Sequence, residues 1–161
     1  MEKKTIDALQ WIIGILKKNN ATYQISGGFA ARLYNSPRLL NDIDIEIPDR
    51  FIPIILPDVS SFISAGPSHY KDEKWDCERL VLNYFGQEID LCGSDTLKMS
   101  NKERTRWISS GSTFRSLDMI VQGIEIKVVH PQDLIDYKKE LDGDHQQVDI
   151  EAIQRFLNEP Q

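Results

Sequence analysis

From residue 42 the stretch Leu39-Leu40-Asn41-Asp42-Ile43-Asp44-Ile45-Glu46-Ile47-Pro48 alternates polar and apolar side chains without a break. Successive side chains of a strand point to opposite faces, so Ile43, Ile45 and Ile47 share one face and Asp42, Asp44 and Glu46 the other. The isoleucines require a core. The carboxylates require water or cations, because like charges this close repel. Two aspartates two residues apart, held rigidly over a β-branched row, make a half-site for a hard divalent cation such as Mg²⁺, which takes oxygen ligands. For a bare Asp-x-Asp an edge strand with a solvated acidic face is the favoured reading, so its neighbours in sequence decide.

Upstream, residues 22–26 read as a short buried strand that runs into Gly27-Gly28, and residues 29–34 read as a short helix. Pro37 biases Ser36 away from the helical region and ends it. Glycines let the backbone approach a ligand closely, and free N–H groups at a helix start favour an anion. The Ser26 hydroxyl adds a donor. A tight strand-to-helix turn would also use glycine, but here one short helix separates a phosphate-friendly turn from a cation-friendly acid pair. Nucleoside triphosphates arrive as Mg²⁺ complexes and need both. Downstream, residues 79–84 form a strand, Gly86-Gln87 suits a two-residue type II′ turn, and residues 88–92 return with Asp90 on the polar side. If that strand lies beside the acidic one, Asp90 joins Asp42 and Asp44. Three carboxylates around two metal ions can activate a hydroxyl and steady a leaving pyrophosphate.

The remaining elements follow from periodicity. Ile6, Leu9, Ile13 and Leu16 recur at helical spacing, which predicts an amphipathic helix over residues 5–20. Residues 51–56 give a short helix or an irregular apolar segment, and residues 66–76 a polar loop. Residues 96–107 carry Lys98, Lys102, Arg104 and Arg106 against Glu103, as a helix or a loop that either guides a polyanion or presents a solvated basic face. Gly111-Ser112-Thr113 reads as a loop, and residues 116–121 and 123–129 as strands. Pro131 opens a helix that reaches residue 141. A last amphipathic helix follows, with Val148, Ile153, Phe156 and Leu157 inward. Trp75 and Trp107 are available to stack on a base, or to pack.

Length and composition bound the rest. The 161 residues, 40% hydrophobic with net charge −6, allow one domain with a real core. No stretch is long and apolar enough to span a bilayer, and the first residues lead into an amphipathic pattern rather than a signal-peptide core. Cys77 and Cys92 lack metal-site spacing and read as reduced thiols of a cytoplasmic protein. The acidic balance argues against broad adhesion to nucleic acid.

The order Gly27-Gly28, short helix, Asp42-Ile43-Asp44, later Asp90 resembles the DNA polymerase β-like nucleotidyltransferase superfamily. The likeness is to its minimal-domain members, the antibiotic nucleotidyltransferases and the abortive-infection toxin type. Pro131-Gln132-Asp133-Leu134 with Lys138, followed by an acidic helix from Asp144 to Asp149, resembles the toxin-type C-terminal part. The resemblance covers most of residues 22–157. It implies an α+β fold, a mixed β-sheet flanked by helices, as a single domain over residues 1–161. It also implies that Asp42 and Asp44 bind Mg²⁺ (Mn²⁺ being the alternative) as a two-ion site, with Asp90 as third ligand or general base. Ser26, Gly27, Gly28, Arg38 and Lys138 would contact the nucleotide. Arg38 stands four residues before Asp42, where small members carry arginine, but Leu40 takes the position of their threonine. Their later helix has a basic residue where this chain offers Asp144-His145-Gln146. The activity implied is transfer of a nucleoside monophosphate from a triphosphate to an acceptor hydroxyl on tRNA, protein or a small molecule. The alternative is a nucleotide-binding domain without chemistry, working with a regulatory partner protein.

Overall fold

The computed structural model describes residues 1–110 and 114–159. Among them the central element is β2 (Asp42–Ile47). Its alternation does what the sequence demands: Ile43, Ile45 and Ile47 are buried and the three acids are only partly covered. Removing each isoleucine side chain from water contributes roughly 1.5–3 kcal/mol, so a one-residue slip of register would forfeit the whole row.

β2 lies inside the sheet, not at its edge. β1 (Gln24–Ile25) pairs with it antiparallel and β5 (Gln87–Gly93) pairs with it parallel. The strand order is β7 (Trp107–Ser109), β6 (Lys98–Ser100), β4 (Trp75–Tyr84), β5, β2, β1, β9 (Ile124–Val129) and β8 (Ser116–Val121), with β3 (Ile63–Lys71) attached to β4. β8 (Ser116–Val121) and β9 (Ile124–Val129) form a hairpin, and β9 runs parallel to β1. The apolar face is covered by buried residues of α1 (Lys3–Lys18), α2 (Gly27–Leu33) and α3 (Phe51–Val59), among them Leu9, Ile12, Leu16, Phe29 and Ile55. A single 3-10 turn, Ser60–Phe62, follows α3. α4 (Pro131–Lys139) begins with Pro131 at its first position, and the ring of His130 accepts a hydrogen bond from the Gln132 amide there. α5 (His145–Asn158) packs against α4 and α2. The architecture is α+β, a mixed sheet with flanking helices.

Several expectations are corrected. The 66–76 segment belongs largely to β3 (Ile63–Lys71) and to β4 (Trp75–Tyr84). β3 looked like a loop because it borders the sheet: its residues from Ser64 to Lys71 are exposed, and register shifts accompany Gly66-Pro67. Proline is tolerated at such edges and bulges. The β4–β5 turn is centred one residue earlier than expected, on Phe85-Gly86. Both have positive φ (48° and 89°), the type I′ pattern, with Tyr84 opposite Gln87. The basic segment is neither helix nor simple loop, because β6 (Lys98–Ser100) pairs with β7 (Trp107–Ser109). On α5 the inward residues are Asp149, Ile150, Ala152 and Ile153, whereas Val148 and Leu157 are about 40% exposed. An acid on the buried face misled a reading that counted only apolar side chains. Gly111-Ser112-Thr113 lies outside the described residues.

Candidate active site

Parallel pairing of β2 with β5 sets Asp44 directly opposite Asp90. Asp42, Asp44 and Asp90 each offer a carboxylate oxygen, and these oxygens lie within 4.8 Å of one another. Burial of Asp44, with Asp42 and Asp90 adding negative charge, pushes its carboxyl up to about 7. The Gly28 amide and the Lys138 charge oppose that rise. Asp42 is also raised, first by burial and then by the charge of Asp90. Hard oxygen donors concentrated this closely, with their charge under-compensated, fit a divalent cation.

Asp90 differs from the other two. Arg79 on β4 forks onto it, its Nε 2.9 Å from both carboxylate oxygens and one terminal nitrogen 2.5 Å from Oδ2. The same guanidinium lies 5.4 Å from the ring centre of Tyr70, a cation–π contact. Sequence reasoning passed over Arg79. Its signal was available once the hairpin was recognised, because Arg79 lies two positions from Cys77 on the face shared by Cys92 and Asp90.

The glycine turn fits tightly against the acids. Gly27 has φ +59°, and a Cβ there would sit 1.9 Å from Asp44 Oδ2. Only glycine accepts both that backbone and that approach. The Gly28 N–H donates to Asp44 at 3.2 Å. Ser26, buried, helps hold down the carboxyl of Glu46, which burial otherwise raises.

Arg38 and Lys138 meet on a residue the sequence reading did not single out. Asp149 is 1% exposed and accepts from Ser36 Oγ at 2.6 Å and Arg38 at 2.5 Å, with Lys138 Nζ 2.8 Å away. Burial alone would raise Asp149, but the hydrogen bonds of Lys138 and Ser36 and the nearby cationic charges bring it below the usual carboxylate range. The hub ties the α2–β2 connection to α4 and α5, and Lys138 also projects its charge toward Asp44. One side chain thus serves the buried Asp149 and the partly covered cluster.

A cavity of about 300 Å³ opens beside Asp44 and Asp90, walled by Tyr70, Trp75, Arg79 and Tyr137. Cys77 and Cys92 also line it and are free thiols. Trp75 packs against Tyr137 with ring centres 6.0 Å apart, whereas Trp107 is 43% exposed with Lys71 over its ring. The basic segment is partly neutralised in place, since Arg104 pairs with Asp142 and faces Glu73.

A mixed sheet carrying Asp-x-Asp on one strand, a third Asp on the parallel neighbour and a glycine turn before a short helix defines the nucleotidyltransferase fold. Solved structures agree. TM1012 of Thermotoga maritima, itself a nucleotidyltransferase by inference only, superposes with TM-score 0.74 at 19% identity, over 98% of this chain and 96% of that one. The lincosamide antibiotic adenylyltransferase LnuA, solved with lincomycin, gives 0.63 at 15% identity, over 97% and 98%. ANT(2″)-Ia, in complex with adenylyl-2″-tobramycin, gives 0.60 at 11% identity, over 96% and 90%. At these identities the likeness is one of fold. By sequence, neither a protein-family model nor a curated relative matches the chain.

Proposed function

We propose that this chain acts as a single-domain, divalent-metal-dependent nucleotidyltransferase, moving a nucleoside monophosphate from a triphosphate to an acceptor hydroxyl. The observation that carries the reading is the convergence of Asp42, Asp44 and Asp90 within 4.8 Å beside the Gly27-Gly28 turn. Asp42, Asp44 and Asp90 would hold Mg²⁺ or Mn²⁺, which when bound supplies charge neutralisation for the triphosphate and its pyrophosphate leaving group. The chain's own residues do the rest. Gly28, with open space where a Cβ would stand, leaves room for a phosphate against the main chain, and Gly27 lets Asp44 close on the turn. Asp90, oriented by Arg79, takes the proton of the acceptor hydroxyl as that oxygen bonds to the α-phosphorus and the bond to pyrophosphate breaks. Lys138, steadied by Asp149, adds positive charge on the triphosphate side, and Arg38 buttresses that arrangement. Two free thiols, Cys77 and Cys92, suit a reducing cytoplasm. In LnuA and ANT(2″)-Ia the same fold meets lincomycin and a tobramycin product, which supports a small-molecule acceptor here.

The test uses α-labelled triphosphates with tRNA, protein and small-molecule acceptors. Transfer by the wild type should fall about 10²–10³-fold in Asp44→Asn, since such catalysis rests on placed charge. Wild-type rates in a folded Asp44→Asn protein would refute the mechanism. The fork of Arg79 on Asp90 favours a second reading, a nucleotide-binding domain in which the third carboxylate is already neutralised. Its mark would be Mg²⁺-dependent thermal stabilisation by triphosphate with no labelled product from any acceptor.

A further inference from the structure

The chain has only two cysteines, and the fold brings both to the carboxylate site. Cys77 lies on β4 and Cys92 on β5, and both line the cavity beside Asp44 and Asp90. The proposed transfer uses neither thiol.

Strand register fixes how the two meet. Arg79 stands directly opposite Cys92, and Val81 opposite Asp90. Arg79 therefore forks onto Asp90 along one diagonal of the ladder. Cys77 precedes Arg79 by two residues, and Cys92 follows Asp90 by two, so the cysteines occupy the next diagonal of the same hand. One diagonal is closed by an ion pair and its neighbour by thiols. The thiols interact directly, Cys92 donating its S–H to Cys77. Cys77 is 3% exposed and Cys92 half-buried, so a small oxidant that enters the cavity meets Cys92 first.

We infer that Cys77 and Cys92 are a reversible thiol–disulfide switch set in the wall of the carboxylate site, with a peroxide as oxidant. The Cys92 sulfur takes one oxygen as the O–O bond of the peroxide breaks. The Cys77 sulfur then attacks that sulfur, so that the S–S bond forms and the S–O bond breaks. With hydrogen peroxide, two electrons pass from sulfur to oxygen and the two thiol protons leave in two molecules of water. Diagonal neighbours stand roughly 7–8 Å apart, whereas a disulfide holds its Cα atoms about 4.4–6.8 Å apart. Closure therefore draws β4 toward β5 at the step that carries Arg79 and Asp90. The Arg79 fork tightens on Asp90 and withholds that carboxylate from a cation. The disulfide stands on the thiols alone, and its effect on cation binding rests on the metal reading of the trio.

The experiment treats the folded protein with hydrogen peroxide and then with dithiothreitol. Peptide mapping without reduction should join Cys77 to Cys92 within one chain. Free thiols should fall from two to none and return with dithiothreitol. The amide resonances of Arg79 and Asp90 should move on oxidation and move back on reduction. Mn²⁺ binding, read by electron paramagnetic resonance, should weaken about fivefold or more on oxidation, the low end of coupling between linked sites. Cys92→Ser and Cys77→Ala should bind Mn²⁺ like the reduced wild type and keep that affinity through peroxide treatment. Thiols that stay free, are oxidised separately to sulfinic acids, or join two chains would overturn the inference. So would a disulfide that leaves the Arg79 and Asp90 resonances or an existing Mn²⁺ affinity unchanged, or an equal loss of affinity in the two variants. The two readings fail separately. Mn²⁺ binding without a disulfide defeats this inference alone. A reversible disulfide that moves Arg79 and Asp90, in a protein that never binds Mn²⁺, defeats the metal reading alone.

Discussion

Two acidic regions lie within reach of the same lysine and behave in opposite ways. Asp149 is almost fully buried and is surrounded by Ser36, Arg38 and Lys138. Asp42 and Asp44 are less enclosed but face one another and Asp90, with no counter-charge of that quality. The surroundings lower Asp149 and raise Asp44. A buried acid with matched cations locks the chain together, while acids gathered against one another hold repulsion that a ligand relieves. The contrast separates a structural hub from a candidate site more sharply than burial does.

The largest effect should come from breaking the hub. Asp149→Ala leaves Lys138 buried without a counter-ion and should cost about 3–5 kcal/mol of stability, as removal of one partner of a buried pair does. Urea denaturation checks it, and a loss below 1 kcal/mol would erase the distinction between the regions. Next is Gly27→Ala. The added Cβ meets Asp44 Oδ2 and must adopt φ +59°, so we expect a loss of about 1–2 kcal/mol together with at least tenfold weaker Mg²⁺-triphosphate binding. Calorimetry on the folded variant measures both, and unchanged nucleotide affinity would detach the turn from the site.

The pH response sharpens the comparison because its sign differs between the regions. The folded carboxyl of Asp44 titrates near 7, above its ordinary value of 3.8. Its contribution is therefore favourable below about pH 4 and is lost as pH rises through 7. Asp149 is depressed, so its contribution is present above the ordinary carboxylate range and is lost as pH falls. Metal-free wild type should lose stability between pH 5 and 8, and Asp44→Asn should flatten that limb without touching the acid limb. Denaturation midpoints at several pH values read both. The smallest effect belongs to Arg79→Gln. Removing the cation from the half-buried Asp90 should tighten Mn²⁺ binding about threefold to tenfold, an effect near 1 kcal/mol. Weaker binding would instead make Arg79 a support of the metal site.

The two regions were also unequally legible. β2 was readable because alternation over six residues has one physical solution, and the Gly27-Gly28 turn was readable by its chemistry and order. The hub was not. Asp149 lies 113 positions from Ser36, and nothing local distinguishes it from Glu151, the other acid of α5. Arg79 and Glu46 were visible as residues, but the cavity they face is assembled by pairing β4, β5 and β2 and by the approach of Tyr137 from α4. The edge strand β3 escaped because its residues from Ser64 on are exposed and give no buried row to detect, and β6 and β7 escaped because three residues each are too few to show a period.

The central claim, that the carboxylate trio is a metal–nucleotide site, is tested most directly by isothermal titration of ATP, CTP, GTP and UTP, with and without Mg²⁺. Wild type and Asp42→Asn/Asp44→Asn are compared. Mg²⁺-dependent binding of at least one triphosphate, abolished in the folded double variant, is the predicted result. Absence of binding by folded wild type, or undiminished binding by the double variant, would contradict it and leave the fold shared but the site elsewhere.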